Sequence, residues 1–239
     1  MLISVVVPAL NEEKYLGKTL EELNKQAHPD FDYEVIVADS SSTDRTVEIA
    51  KKYGAKAVIV PKVSPAFARQ KGIEAARGEI IACLDADTLP SPDWLKILVK
   101  EFTNDKDLVG LTGKVKILGK GALSKISFFF FQNIFYPLNF LLGKTIFNGQ
   151  NFAVQKRAFL TIGGFNTSIH SGEDADLGMR LSKVGKVIFT PKVLVFTSPR
   201  REKEGINLNL LLRWPLSYLK LVWGINLGNW EKKPFPAIR

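Results

Sequence analysis

The sequence predicts an α/β protein, a mostly parallel central sheet flanked by helices, with an apolar helical portion toward the C-terminus. Three observations predict it. Four short apolar runs, residues 2–7, 33–38, 55–60 and 79–84, punctuate the first half, and three of them are continuous in Val and Ile. Continuous rather than alternating apolar runs are the pattern of strands covered on both faces. Helical repeats lie between them on short connections, the rhythm of right-handed strand–helix–strand units.

The elements follow in order. Residues 2–7 are apolar, lack a basic leader and run directly into Asn11-Glu12-Glu13, so a first strand is expected rather than a signal peptide. Leu16, Leu20, Leu23 and Ala27 recur at helical spacing. Thr43 and Asp44 open a second helix carrying Val47, Ile49 and Ala50, and residues 66–76 suggest a third. The Pro90-Ser91-Pro92-Asp93 stretch starts another. Residues 108–118 read as one or two strands, 145–154 as a strand, and Leu177, Leu181 and Val184 as one face of a helix after Glu173 and Asp174.

At 239 residues the chain is long enough for one well-cored domain. Its net charge of +9 suits either a polyanionic partner (nucleic acid, anionic lipid, a phosphorylated substrate) or a solvated basic surface. Cys83 is the single cysteine, which excludes a disulfide framework and a cysteine metal cluster and fits a reducing compartment.

Ligands of open parallel sheets bind beyond the carboxyl ends of the strands. The first strand is followed by Pro8-Ala9-Leu10-Asn11-Glu12-Glu13, the second by Asp39-Ser40-Ser41-Ser42-Thr43-Asp44, the fourth by Asp85-Ala86-Asp87. Carboxylates thus gather at one edge of a basic protein, where unpaired charge is costly unless a ligand offsets it. In an extended chain Asp85 and Asp87 face one side. Two hard oxygen ligands suit Mg²⁺ or Mn²⁺, which fills its shell with water and diphosphate oxygens. An acidic turn before the next helix explains the same pair without a metal. Neither Gly-x-Gly-x-x-Gly nor a P-loop motif follows a strand, which argues against a dinucleotide dehydrogenase and a P-loop kinase.

Five segments, 4–13, 37–46, 68–72 (Ala-Arg-Gln-Lys-Gly), 76–87 and 172–181 (Gly-Glu-Asp-Ala-Asp-Leu-Gly-Met-Arg-Leu), together resemble the family 2 inverting glycosyltransferases of GT-A fold, in that family's order and over about residues 1–200. The resemblance implies a glycosyltransferase domain over 1–200 and an apolar, basic helical extension over 201–239. It implies a nucleotide diphosphate-sugar donor lined by Pro8, Ala9 and Glu12, with Asp39 on the base, Arg69 on the nucleotide, Asp85 toward the ribose or sugar, and Asp87, with Asp85, holding the metal. Relatives often carry two adjacent acids where this chain has Asp39 and Ser40. The segment 148–153, with Gly149 and Asn151, is similar to the one beneath the donor sugar and acceptor. Asp174 would be the general base for an acceptor hydroxyl, with Glu173 positioning it. An acidic first helical turn favoured by the helix dipole is the competing reading, and Asp176 is assigned to it. Arg213 and Trp214 match the end of a Gln-x-x-Arg-Trp motif whose Gln is absent, so processive synthesis loses support; Arg200 and Arg201 are further phosphate candidates. His28 is expected in a loop, and His170 could flank the site.

Residues 126–142 carry no charge and seven aromatics between Lys125 and Lys144, interrupted by Pro137. That is short for a membrane span and suits a core or interfacial helix. With the tail 207–228 and the net charge, it predicts peripheral attachment to the cytoplasmic face of a membrane, burial or a homodimer interface being the alternatives. The acceptor is expected to be a glycan, a lipid or a lipid-linked sugar. Two other functions compete: transfer to a polyprenyl phosphate, and a sugar-nucleotide-binding scaffold without catalysis. No basic helix or aromatic sheet motif suggests nucleic acid.

Overall fold

The computed structural model describes residues 1–26, 30–118, 129–169, 172–200 and 222–224. Eight strands form one sheet: β1 (Leu2–Ala9), β2 (Asp32–Asp39), β3 (Lys56–Ile59), β4 (Ile80–Leu84), β5 (Thr88–Pro90), β6 (Leu108–Ile117), β7 (Asn151–Gln155) and β8 (Lys186–Thr197). Their order is β3-β2-β1-β4-β7-β6-β8-β5. The helices are α1 (Leu16–Asn24), α2 (Thr46–Lys52), α3 (Pro65–Glu74), α4 (Trp94–Asn104), α5 (Tyr136–Leu141, entered through a π-helical turn, Phe131–Phe135), α6 (Lys156–Thr161) and α7 (Glu173–Leu181).

The four predicted strands are all present, and β3, β2, β1 and β4 pair in parallel. Because the period of a strand is two, each apolar run supplies both faces. Val5, Val7, Ala82 and Leu84 pack under α1, α2 and α4 with Leu16, Leu20, Leu23, Trp94 and Leu98. Val6, Ile81 and Cys83 pack on the other side with Ile73 of α3, Phe159 of α6 and Leu177 and Leu181 of α7. The result is three layers, helix–sheet–helix, with Cys83 sealed inside and its thiol pushed up to about 12 by burial.

Three expectations are corrected. The strand read over 145–154 is only β7; Ile146 and Phe147 are buried by packing, without strand pairing. Secondly, β7 runs antiparallel to both β4 and β6, and β5 antiparallel to β8, so the parallel run is broken at β7 and resumes only between β6 and β8. Val184, expected on the α7 face, lies beyond the helix and is exposed. Among the described residues, no helix is long and apolar enough to cross a membrane. His28, His170, Arg201, Arg213, Trp214 and the bulk of 201–239 lie outside the described residues.

Candidate active site

The strand order explains why separate loops meet. β2, β1 and β4 are adjacent and parallel, so the three acidic loops emerge side by side. β7 runs the other way, with Asn151 opposite Leu84, so its leading segment, 148–150, enters at the same edge.

The first two loops are laced together. Asn11 and Ser41 both hold positive φ, 54° and 58°, an uncommon conformation for side-chain-bearing residues that clusters at functional turns. The Asn11 N–H donates to Ser42 Oγ at 2.8 Å, and the Thr43 N–H to Asn11 Oδ1 at 2.9 Å. The Glu12 N–H donates to Thr46 Oγ1. Asp39 is fully buried and accepts from the Ser42 N–H and hydroxyl. Pro8 and Ala9 close β1 beside Ala38 and Asp39.

Arg69 is the hub of the deeper part. It reaches this edge because α3 lies unusually close to the sheet: a Cβ on Gly72 would come 2.5 Å from Val6 Cγ1. Its guanidinium donates to Asp85 Oδ1 at 2.5 Å and to the Gly149 carbonyl at 3.1 Å, and stands 4.0 Å from Glu173 Oε1. Burial opposes its charge, but Asp85, Glu173 and Asp174 outweigh burial and hold it above the usual arginine range. Asp174 Oδ2 accepts the Gly149 N–H at 2.8 Å, and Oδ1 the Ala175 N–H at 2.9 Å. The approach needs glycine, since a Cβ on Gly149 would stand 2.9 Å from that oxygen. Burial and the neighbouring Glu173 carboxylate push Asp174 up from 3.8 to about 7, against the pull of Arg69 and the two N–H donors. A carboxyl so tuned exchanges protons near neutrality.

Arg200 holds the outer part. Its Nη1 lies 2.6 Å from Glu12 Oε2 and its Nε 2.7 Å from Asp87 Oδ2. Burial raises the Glu12 carboxyl, Arg200 opposes that, and Asp87 and Asp85 add to it. The expected meeting of Asp85 and Asp87 with the first acidic turn is therefore observed, but each aspartate faces a guanidinium.

Not every expected residue faces this edge. Asn151 is fully buried, and its amide is committed to the Trp94 indole N–H and the carbonyls of Lys114 and Val193. It ties α4 to the sheet rather than facing an acceptor. Asp176 pairs with Arg180 one helical turn on, at 2.6 Å. Arg200 at Glu12 and Asp87 is the residue sequence reasoning places least well: it is a phosphate candidate there, and although Glu12 and Asp87 lie in motifs, nothing in the sequence marks Arg200 as their partner.

Whether these residues suit a divalent cation turns on the donor set. Among the described residues, Glu12, Asp85, Asp87, Glu173 and Asp174 line the edge with Arg69 and Arg200 as their cationic partners. The remaining negative charge and hard oxygens fit Mg²⁺ or Mn²⁺. Among the described residues no three acidic, histidine or cysteine side chains are gathered as one ligand set, because guanidiniums stand between them. The chemistry fits, while the arrangement is closed on Arg200. A separate groove at the amino ends of β2 and β3, lined by Tyr33, Glu34, Lys56 and Arg77, has its acid already paired within the fold, Glu34 with Arg77 and Ser4.

The family model described as "Glycosyl transferase family 2" matches residues 4–163. A curated relative from Methanococcus voltae, a dolichyl N-acetyl-alpha-D-glucosaminyl phosphate 3-beta-D-2,3-diacetamido-2,3-dideoxy-beta-D-glucuronosyltransferase, is 24% identical over 208 residues, covering 79% of this chain and 64% of the relative. The poly(ribitol-phosphate) beta-N-acetylglucosaminyltransferase TarS of Staphylococcus aureus (strain Mu50) is 34% identical over 133 residues, 51% of this chain and 22% of that one. This chain thus spans less than two thirds of either relative. Among solved structures, the mannosyltransferase PcManGT from Pyrobaculum calidifontis, in complex with GDP-Man and Mn²⁺, shares the fold at a TM-score of 0.61 and 22% identity, covering 81% of this chain and 56% of that one.

Proposed function

The chain belongs to glycosyl transferase family 2, and on that premise we propose that it transfers a sugar, with inversion, from a nucleotide diphosphate-sugar to an acceptor hydroxyl. The observation that carries this reading is the continuous chain of contacts Asp85–Arg69–Gly149–Asp174. It joins the expected donor side to a carboxyl tuned near 7.

Asp174 takes the acceptor proton as the hydroxyl attacks, a role that contributes roughly 10²–10⁴-fold. Glu173 raises its proton affinity. The Gly149 and Ala175 N–H groups fix its orientation. Arg69 holds Asp85 in place and carries positive charge between donor and base. Pro8, Ala9, Glu12 and Asp39 form the nucleotide side. Asp85 and Asp87 would hold Mg²⁺ or Mn²⁺, which when bound would supply Lewis-acid stabilisation of the leaving diphosphate. The neighbour crystallised with GDP-Man and Mn²⁺ supports this choice of cofactor.

The acceptor is proposed to lie at a membrane. Phe129, Phe130, Ile134, Leu138, Leu141 and Leu142 are exposed on the segment leading into and through α5, with Lys144 next to them in the chain. An apolar face with basic flanks suits the headgroup zone and favours a lipid or lipid-linked acceptor, a polyprenyl phosphate included. Such a phosphate is already ionised and needs no base. Asp174→Asn separates the two acceptors: a hydroxyl acceptor loses turnover, whereas a lipid phosphate keeps it. The donor reading is tested by thermal melting with UDP-GlcNAc and GDP-mannose, with Mn²⁺ or with chelator. A shift that needs Mn²⁺ is expected, about 2.7 kcal/mol at ~100 times the dissociation constant; no shift with any nucleotide sugar sinks the reading.

A further inference from the structure

Arg200 reaches the acidic edge through a fixed route. Thr88 pairs with Thr197 across β5 and β8, and the Ser198 N–H donates to the Asp87 carbonyl at 3.1 Å. The end of β8 is therefore stapled to the Asp85-Ala86-Asp87 turn. Two residues on, the Arg200 N–H donates to Ser198 Oγ. Its guanidinium then spans Glu12 at 2.6 Å and Asp87 at 2.7 Å and lies over the Tyr15 ring, 5.1 Å from its centroid. The two carboxylates come from loops after different strands, and both are well covered, 10% and 4% exposed at the side chain. Their oxygens face a cation supplied by the protein.

A guanidinium and a hard dication seek the same carboxylate lone pairs. The two cannot both sit between Glu12 and Asp87. Arg69 is in a different position: it is anchored by the Gly149 carbonyl as well as by Asp85 and is itself buried. Arg200 is followed directly by chain beyond β8, and its side chain is 17% exposed.

We propose that Arg200 is a latch on the cation site: it bridges Glu12 and Asp87 before the donor arrives, and a divalent cation gains Asp87 only by displacing it. The proposal rests on the reading that a cation-bound diphosphate docks at this edge. The latch has two effects. It lowers affinity for free metal, so that cation and donor bind together rather than separately. It also releases a guanidinium at the moment the diphosphate arrives, when a second positive charge is useful.

The test uses the whole chain and Mn²⁺ alone, with unbound Mn²⁺ read by its electron paramagnetic resonance signal. Arg200→Gln is expected to bind Mn²⁺ about tenfold more tightly than the unaltered chain, the factor for a latch closed roughly nine-tenths of the time. Arg200→Lys, which offers a single point charge instead of a planar fork, should fall between them. A second measurement needs no variant. In the unaltered chain, adding Mn²⁺ should raise the reactivity of Arg200 toward an arginine-selective dicarbonyl, read by mass spectrometry, while buried Arg69 stays unreactive. This decides the matter if Arg200→Gln does not fold. Equal Mn²⁺ affinities together with flat Arg200 reactivity overturn the latch. If nucleotide sugars plus Mn²⁺ still shift the melting temperature in that case, only the latch falls. If neither Mn²⁺ nor any nucleotide sugar binds either form, the donor reading falls and takes the latch with it.

Discussion

Two guanidiniums meet carboxylates at one edge of this sheet, and they are built differently. Arg69 comes from inside a helix pressed against β1 by Gly72, is almost wholly covered, and is tied by a backbone carbonyl as well as by Asp85. Arg200 comes from the chain leaving β8, is partly exposed, and among the described residues its guanidinium meets side chains, Glu12, Asp87 and Tyr15. The comparison teaches that similar ion pairs serve different ends according to what anchors the cation. A cation fixed by the main chain and the core is part of the scaffold. A cation fixed by side chains at the rim is exchangeable. Pair distance does not separate the two, since all three contacts lie near 2.6 Å.

The largest expected effect lies on the anchored side. Asp174→Asn should lower transfer to a hydroxyl acceptor by about 10²–10⁴-fold while donor-induced thermal stabilisation persists. Full activity in this variant, measured by product formation, would remove the base from the anchored cluster. Arg69→Met comes next: it leaves Asp85 facing a buried void of charge and should cost about 3–5 kcal/mol in chemical denaturation. Arg200→Gln should cost less, because Arg200 is partly exposed where Arg69 is buried, but it also leaves two covered carboxylates, Glu12 and Asp87, without their cation. Equal costs would erase the distinction drawn above.

The pH response sharpens it further. Asp174 binds its proton in the folded chain up to about pH 7, well above its ordinary 3.8. The folded state therefore holds more protons between those values. The stability this group contributes is full below about 4 and is lost as pH rises through about 7. A general base, the role proposed for Asp174, needs the opposite form, so under that proposal the rate should climb across the window in which stability falls. Thermal melts and initial rates over the same pH series check both slopes, and Asp174→Asn should flatten the melting slope. The smallest effect is expected at Asp176→Asn, which breaks an i,i+4 pair with Arg180. It should cost under about 1 kcal/mol and leave turnover intact, separating an acid of the helix from an acid of the site.

Legibility in the sequence followed how local each cause was. The runs that became β1, β2 and β4 are readable because burial on both faces favours unbroken β-branched stretches. β8 was missed because Lys186, Pro191 and Lys192 interrupt its apolar pattern, and β5 because three residues carry no period. β7 was overextended because Ile146 and Phe147 are buried for packing against helices, which apolar character alone does not distinguish from pairing. Asp85, Asp87 and the three edge loops were readable from strand ends. Asp174 stood out only through a family resemblance, since an acidic first turn looks alike in both roles. The Arg200–Glu12 contact joins residues 188 positions apart with no motif at one end. Asn151 was misread because a buried amide that ties three segments and a ligand-facing amide have the same letter.

The cross-bonded turns after β1 and β2 have a practical corollary for anyone wishing to exchange them between relatives. Thr43 donates to the Asn11 side chain, while Ser42 Oγ accepts from the Asn11 N–H and donates to Asp39. A transplant of one turn from a homologue would import half of a lock. Grafts should therefore be made as matched pairs, carrying both left-handed residues and their mutual partners in a single exchange.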